Sequence, residues 1–352
     1  MIRRHRGRSV QGQDLAALAV GLAVGAAVLV ALSAVAGGEA VLAALERAAL
    51  QPVAGVGAAV LAWLCLWGLA LRAVLAATGS RIGTVDAVLV NAGAAFANHV
   101  TPFGQAGGEP VAAWLLSDVS GAPFERSLGA MTSFDVLNVV PSLSLATVGL
   151  GYYASVAVLG ATLRSVAVGL AVVAVVAPAL AAGAWRRRRG IEAALVAVLT
   201  PPLRVVGRLL PVVSPPERAD VERRVAGFLG AIESVATDRR RLGVALACST
   251  AGWLAQAVGL WLALRAVGAT VPVYVPLFVV PLGTVGSAMP TPGGLGGIEP
   301  IQVGLLTATT AAATASVTAA VLVFSVGGFL LTMSVGVAAV AVLQVRERSV
   351  GG

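Results

Sequence analysis

Two glutamates stand in near-identical company. Glu109 closes the phrase TPFGQAGGEP at residues 101–110, and Glu299 sits in TPGGLGGIEP at residues 291–300. Both phrases interrupt long apolar stretches, so each carboxylate is expected inside a membrane, where an acid costs about 2.5–3.5 kcal/mol at a helix centre. An acid retained there can carry a proton, pair with a cationic headgroup or clamp two parts of the protein together. A second reading is open at both: the glutamate caps the helix that begins there, which the helix dipole favours by about 0.3–1 kcal/mol. Around them lie Asn91, Asn98, His99, Thr101, Gln105, Thr291, Pro292 and Gln302, while Asp135 and Asn138 on the next apolar span are expected to face the same interior. His99 suits a proton relay and equally a satisfied buried imidazole. Gly104, Gly107 and Gly108 in the first phrase, and Gly293, Gly294, Gly296 and Gly297 in the second, let a phosphate approach amides at half-helix N-termini. They equally permit tight turns and close helix packing.

The elements that must position these residues are apolar helices. The 352 residues are 58% hydrophobic and 11% charged, with a mean hydropathy of +0.92, well beyond soluble domains at roughly 45–50% apolar. The chain therefore reads as an all-α polytopic membrane protein. All 24 basic side chains are arginine, and the net charge of +8 reports topology and lipid contact rather than nucleic acid. Spans are expected at about Leu15–Ala36, Val53–Ala77, Arg126–Tyr153, Leu163–Trp185, Leu242–Val267 and Ser316–Gln344. The first follows Arg3, Arg4, Arg6 and Arg8 and also resembles a signal peptide, but its apolar run is longer than a signal core. Cys65 and Cys248 each lie within a span and read as packing residues.

Between the second and third spans, and again between the fifth and sixth, the two phrases break an apolar stretch. The arm from Glu109 to Ser117 is about 13 Å long at ~1.5 Å per residue, too short to cross a core of roughly 30 Å. Re-entrant hairpins with loops at residues 98–110 and 288–300 follow; two full spans in place of each would give ten crossings. The organisation is thus a first repeat over residues 1–155 and a second over 156–352, each with three transmembrane helices and one Gly/Pro-broken hairpin. LALRAV at residues 69–74 and 262–267 marks the same place in both. Three crossings per half invert the second repeat relative to the first. With both termini cytoplasmic, only Arg47, Arg164 and Arg265 fall at the outer side, as the positive-inside rule requires. Residues 186–241 form an Arg-rich cytoplasmic or interfacial insert. In it, Ser214-Pro215-Pro216-Glu217 reads as a helix start. Val221, Val225, Phe228, Leu229, Ile232 and Val235 share one helical face, for a membrane surface or for packing back on the membrane domain.

The stretches NHVTPFGQAGGEP (98–110), SFDVLNVV (133–140) and PTPGGLGGIEP (290–300) resemble the membrane region shared by lysylphosphatidylglycerol synthases and stand-alone flippase-like proteins. The likeness carries onto Gly108, Glu109, Pro292, Gly293, Gly294, Leu295, Gly296 and Glu299. Many members place an arginine three residues after the first glutamate, where this chain has Ala112. The resemblance implies translocation of a membrane lipid with a polar or charged headgroup in the cell membrane. Without a nucleotide loop, transport runs downhill or couples to protons. No cofactor, metal or catalytic constellation is expected, and the chain does not read as an enzyme. A membrane-embedded lipid-modifying transferase, and a scaffold for a lipid-modifying enzyme partner, are the alternatives.

Overall fold

Residues 20–350 are described by a computed structural model, apart from 21, 102–104, 159, 188–189, 191, 199, 202–216 and 290. Apolar runs of this length close their backbone bonds within the segment, and every regular element among the described residues is helical. α1, Leu22–Val35, bends by 98° into α2, Gly38–Glu46, with Gly37 at φ 90° in the bend. α3 (Leu50–Ala77), α4 (Thr84–Val100), α5 (Gln105–Ser120), α6 (Phe124–Val156) and α7 (Ala161–Arg186) follow. The second part holds α8 (Arg218–Thr237), α9 (Arg239–Ala266), α10 (Val275–Gly283), α11 (Ile298–Thr309) and α12 (Thr314–Val350). α3, α6, α7, α9 and most of α12 are long and apolar enough to cross a membrane, and the bent pair α1–α2 makes a sixth candidate. The expected spans match these helices; Leu15–Ala19 of the first lie outside the described residues.

Lipid tails are as apolar as leucine, so helices here associate by close packing and small residues mark the contacts. The principal pairing is α3 with α9. Gly252 lets the Trp67 indole lie where a Cβ would be, and a Cβ on Gly259 would sit 3.3 Å from that of Ala59. Leu64 and Leu71 on α3, and Leu260 and Leu264 on α9, are fully buried beside that contact. α6 packs on α10, where a Cβ on Gly149 would lie 3.0 Å from that of Leu277. α4 packs on α12, with Gly336 against Phe96. α7 is mostly exposed and touches the bundle through α6.

One end of the bundle gathers arginines. Arg241 at the start of α9 donates to the Ala76 carbonyl at the end of α3, and Arg72 donates to the Ile82 carbonyl at 3.3 Å. Arg346 on α12 pairs with Asp86 on α4 at 2.8 Å, and Arg224 on α8 pairs with Glu125 on α6 at 3.0 Å. α8 packs on α6, with Val235 buried and Gly129 against the Phe228 carbonyl, while Val221 and Val225 are buried in a cluster with Val196. α8 starts at Arg218, where Asp220 accepts from the Glu217 N–H at 3.1 Å. Ser214–Pro216 lie outside the described residues.

α4 and α5 pack together as a hairpin. One expectation is corrected: the second arm is not a short piece starting at Glu109. α5 begins at Gln105 and has 16 residues, about 24 Å at ~1.5 Å per residue. Gly107, Gly108 and Glu109 therefore lie inside a helix, and Pro110, close to its start, forfeits one backbone bond without ending it. The second hairpin is more irregular: α10 runs into a 3-10 turn at Thr284–Ala288, a second turn spans Pro292–Gly294, and α11 leads back.

Candidate functional site

A cavity of about 670 Å³ lies where the two hairpins meet α3, α6, α9 and α12. Of the residues singled out from sequence, Asn91, Asn98, His99, Glu109, Asp135, Asn138, Gly293, Gly294 and Gln302 line it, and the Asn91 amide donates to the Leu64 carbonyl at 3.0 Å. Thr101, Thr291, Pro292, Gly296, Gly297 and Glu299 do not, and Gly108 lies in the contact between α4 and α5. Gly104 lies outside the described residues, as do the Gln105 side chain and the surroundings of Gly107.

Glu109 on α5 and Asp135 on α6 both line the cavity, on two helices packed against one another. Glu299 has a different setting. It is 0% exposed, accepts from the Gly296 N–H at 2.7 Å and accepts from the Ser325 hydroxyl on α12. It fastens the loop just before its own helix and ties that helix to the last span, while Ser325 lines the cavity. The two glutamates of the repeated phrase are therefore not equivalent.

The second loop uses its amides internally. Gly294 donates to the Thr291 carbonyl at 3.0 Å, Leu295 to Pro292 at 3.3 Å and Gly297 to Gly294 at 3.0 Å, leaving Gly296 to Glu299. No amide from Gly294 to Gly297 is free to cradle a phosphate. The glycines serve geometry instead: Gly293, Gly294 and Gly296 are at φ 63°, 72° and 82°, and Gly286 and Gly297 touch backbone to backbone. Gly108 has a comparable reason, since a Cβ there would fall on the Asn98 side chain.

The tips of the hairpins meet at His99 and Gly293, where an added Cβ would come within 2.7 Å of the imidazole. The His99 Nδ1 faces the Ala95 carbonyl at 2.6 Å and so carries the proton. The ring lies 4.8 Å from that of Phe329. Opposite stands a cluster absent from the sequence reading: Trp67 makes edge contacts with Trp63 at 5.3 Å, Trp253 at 5.6 Å and Phe134 at 6.0 Å. The Trp253 indole donates to the Asn138 carbonyl at 3.0 Å, and Ser249 donates to the Asn138 side chain. Gln256 and Ser325 were missed as well; a glutamine or serine on an apolar helix signals a cavity only once the helix faces are known.

A model of the family described as lysylphosphatidylglycerol synthase TM region matches residues 18–336. The chain belongs to that family. No curated protein matches it. Membership, with the long apolar helices, makes this a multi-pass membrane protein with a lipid-related role. The family position three residues beyond Glu109 is Ala112, buried in the cavity wall, and no arginine lines the cavity among the described residues.

Proposed function

We propose that this family member moves a polar-headed lipid between leaflets of the cell membrane, the headgroup passing through the cavity while the tails stay in the bilayer. One observation carries the reading: a mostly apolar cavity holds a set of polar side chains, and its wall continues onto the apolar exterior. Val139 and Val285 line it while being 50% and 67% exposed. A lipid can enter sideways there, between α6 and the 284–288 turn, without its chains meeting water. The presence of two carboxyls in the cavity wall, Glu109 and Asp135, supports coupling to protons, because a carboxyl group can take up or release one as the site is loaded.

The packing supports two inverted repeats with re-entrant hairpins. α3 ends and α4 begins at the arginine-rich end; α9 begins there, so the second hairpin starts from the opposite end. At 17 residues, α4 covers about 25 Å against about 42 Å for the 28-residue α3. Each half lends its last span to the other half's hairpin, α6 to α10 and α12 to α4. The positive-inside rule puts the arginine-rich end, and with it the C-terminus and the turn before α4, in the cytoplasm.

The test is leaflet exchange of fluorescent lipids in proteoliposomes, comparing the wild type with Glu109→Gln and Asp135→Asn at matched folding, with mass analysis of the recovered lipid. Exchange of unchanged lipid that collapses in both variants supports transport. Recovery of a modified headgroup establishes a transferase, and exchange indifferent to both variants removes the site from the mechanism.

A further inference from the structure

The chemistry lining the cavity narrows the headgroup, granted the lipid reading above. We infer that the site takes an uncharged, hydroxyl-rich headgroup, a glycosyl unit. Several buried polar atoms in the wall have no hydrogen-bond partner among the described residues. The Trp63 Nε1, Asn138 Nδ2 and Gln256 Nε2 groups are donors; Asn98 Oδ1 and Gln302 Oε1 are acceptors, beside the Glu109 and Asp135 carboxyls. Two of the residues are well buried, Asn138 at 6% and Gln302 at 2% exposure. An unpaired buried polar group costs about 1–3 kcal/mol, so the set calls for a ligand that satisfies both kinds.

Three headgroup classes can be compared against that set. A phosphate offers only acceptors, meets two acids with no arginine beside them, and finds the loop amides from Gly294 to Gly297 engaged. An ammonium suits the acids and the indoles but has no acceptor, leaving all three N–H groups unpaired. A hydroxyl both donates and accepts, so a polyol answers donors and acceptors together. The indoles of Trp63 and Trp67 add a flat apolar face with a polar edge, the complement of a sugar ring with C–H groups on its face and hydroxyls at its rim. The volume lies within the roughly 300–1,000 Å³ of small-molecule sites.

The test uses the full chain in phosphatidylcholine nanodiscs, read by tryptophan emission and thermal midpoint. Guests are monoglucosyl diacylglycerol, phosphatidic acid, a diacylglycerol bearing a primary ammonium, and free glucose. The expected result is a saturable shift with the glucosyl lipid alone, about tenfold weaker in Gln256→Leu, which removes the unpartnered Nε2 and whose thermal midpoint without guest checks its folding. A response led by phosphatidic acid or the ammonium lipid overturns the headgroup assignment and leaves the lipid reading standing; one led by free glucose overturns the assignment to a lipid head. No response to the glucosyl lipid overturns the inference outright, whereas leaflet exchange alone decides the transport reading.

Discussion

At the scale of single residues, the repeated phrase conceals two kinds of acid. Glu299 is built into the fold, and removing it strands the Gly296 N–H and the Ser325 hydroxyl in a buried place. Glu299→Ala is expected to destabilise the protein by about 2–4 kcal/mol, whereas Glu299→Gln, which keeps an acceptor, costs less than half of that. Thermal unfolding in a mild detergent reads the difference. Glu109→Gln should leave the unfolding midpoint within a few degrees and act on exchange instead, since Glu109 lines the cavity and Gln keeps its size. The sequence marked both glutamates through their surroundings, and capping and clamping at Glu299 were among the roles weighed. What separates the two acids is their tertiary setting, Glu299 held by Ser325 on another helix and Glu109 in the cavity wall, and no local spacing reveals that.

Among the elements, the long apolar runs were legible and their faces were not. In a helix that is apolar all round, period carries little information about which side meets protein and which meets lipid. The tryptophans at 63, 67 and 253 could therefore not be placed together in advance. The start of α5 was misread for a related reason: Gly-Gly-Glu-Pro looks like a break, yet near a helix N-terminus these residues are tolerated. The contact of α8 with α6 yields a contrast. Arg224→Gln should change stability by about 1 kcal/mol or less, because the Arg224 end of its bridge to Glu125 is 65% exposed. Gly129→Leu should lift α8 from α6, since even a Cβ there would strike the Phe228 carbonyl. Protease sensitivity of residues 186–241 separates the two variants.

For the whole molecule, the apolar fold class and the two hairpins followed from sequence, while the place where the hairpins meet depended on tertiary packing. If the hairpins move against a steady α3–α9 pair, cross-links will tell. With Cys65 and Cys248 replaced, a disulfide between Ala59→Cys and Gly259→Cys should leave leaflet exchange intact, and one between Gly149→Cys and Leu277→Cys should stop it. Equal loss in both would show that α3 and α9 also shift. The α3–α9 pair also bears on how the protein comes into being. Its two partners are about 200 residues apart in the chain, Ala59 against Gly259. At ~5–20 residues per second, roughly 10–40 s of synthesis separate them. Over that interval Trp67 can reach Phe134 on α6 but not Trp253, and the first half waits for the second to be inserted before it has a finished surface. Halves expressed apart should accumulate poorly, and co-expression should rescue both.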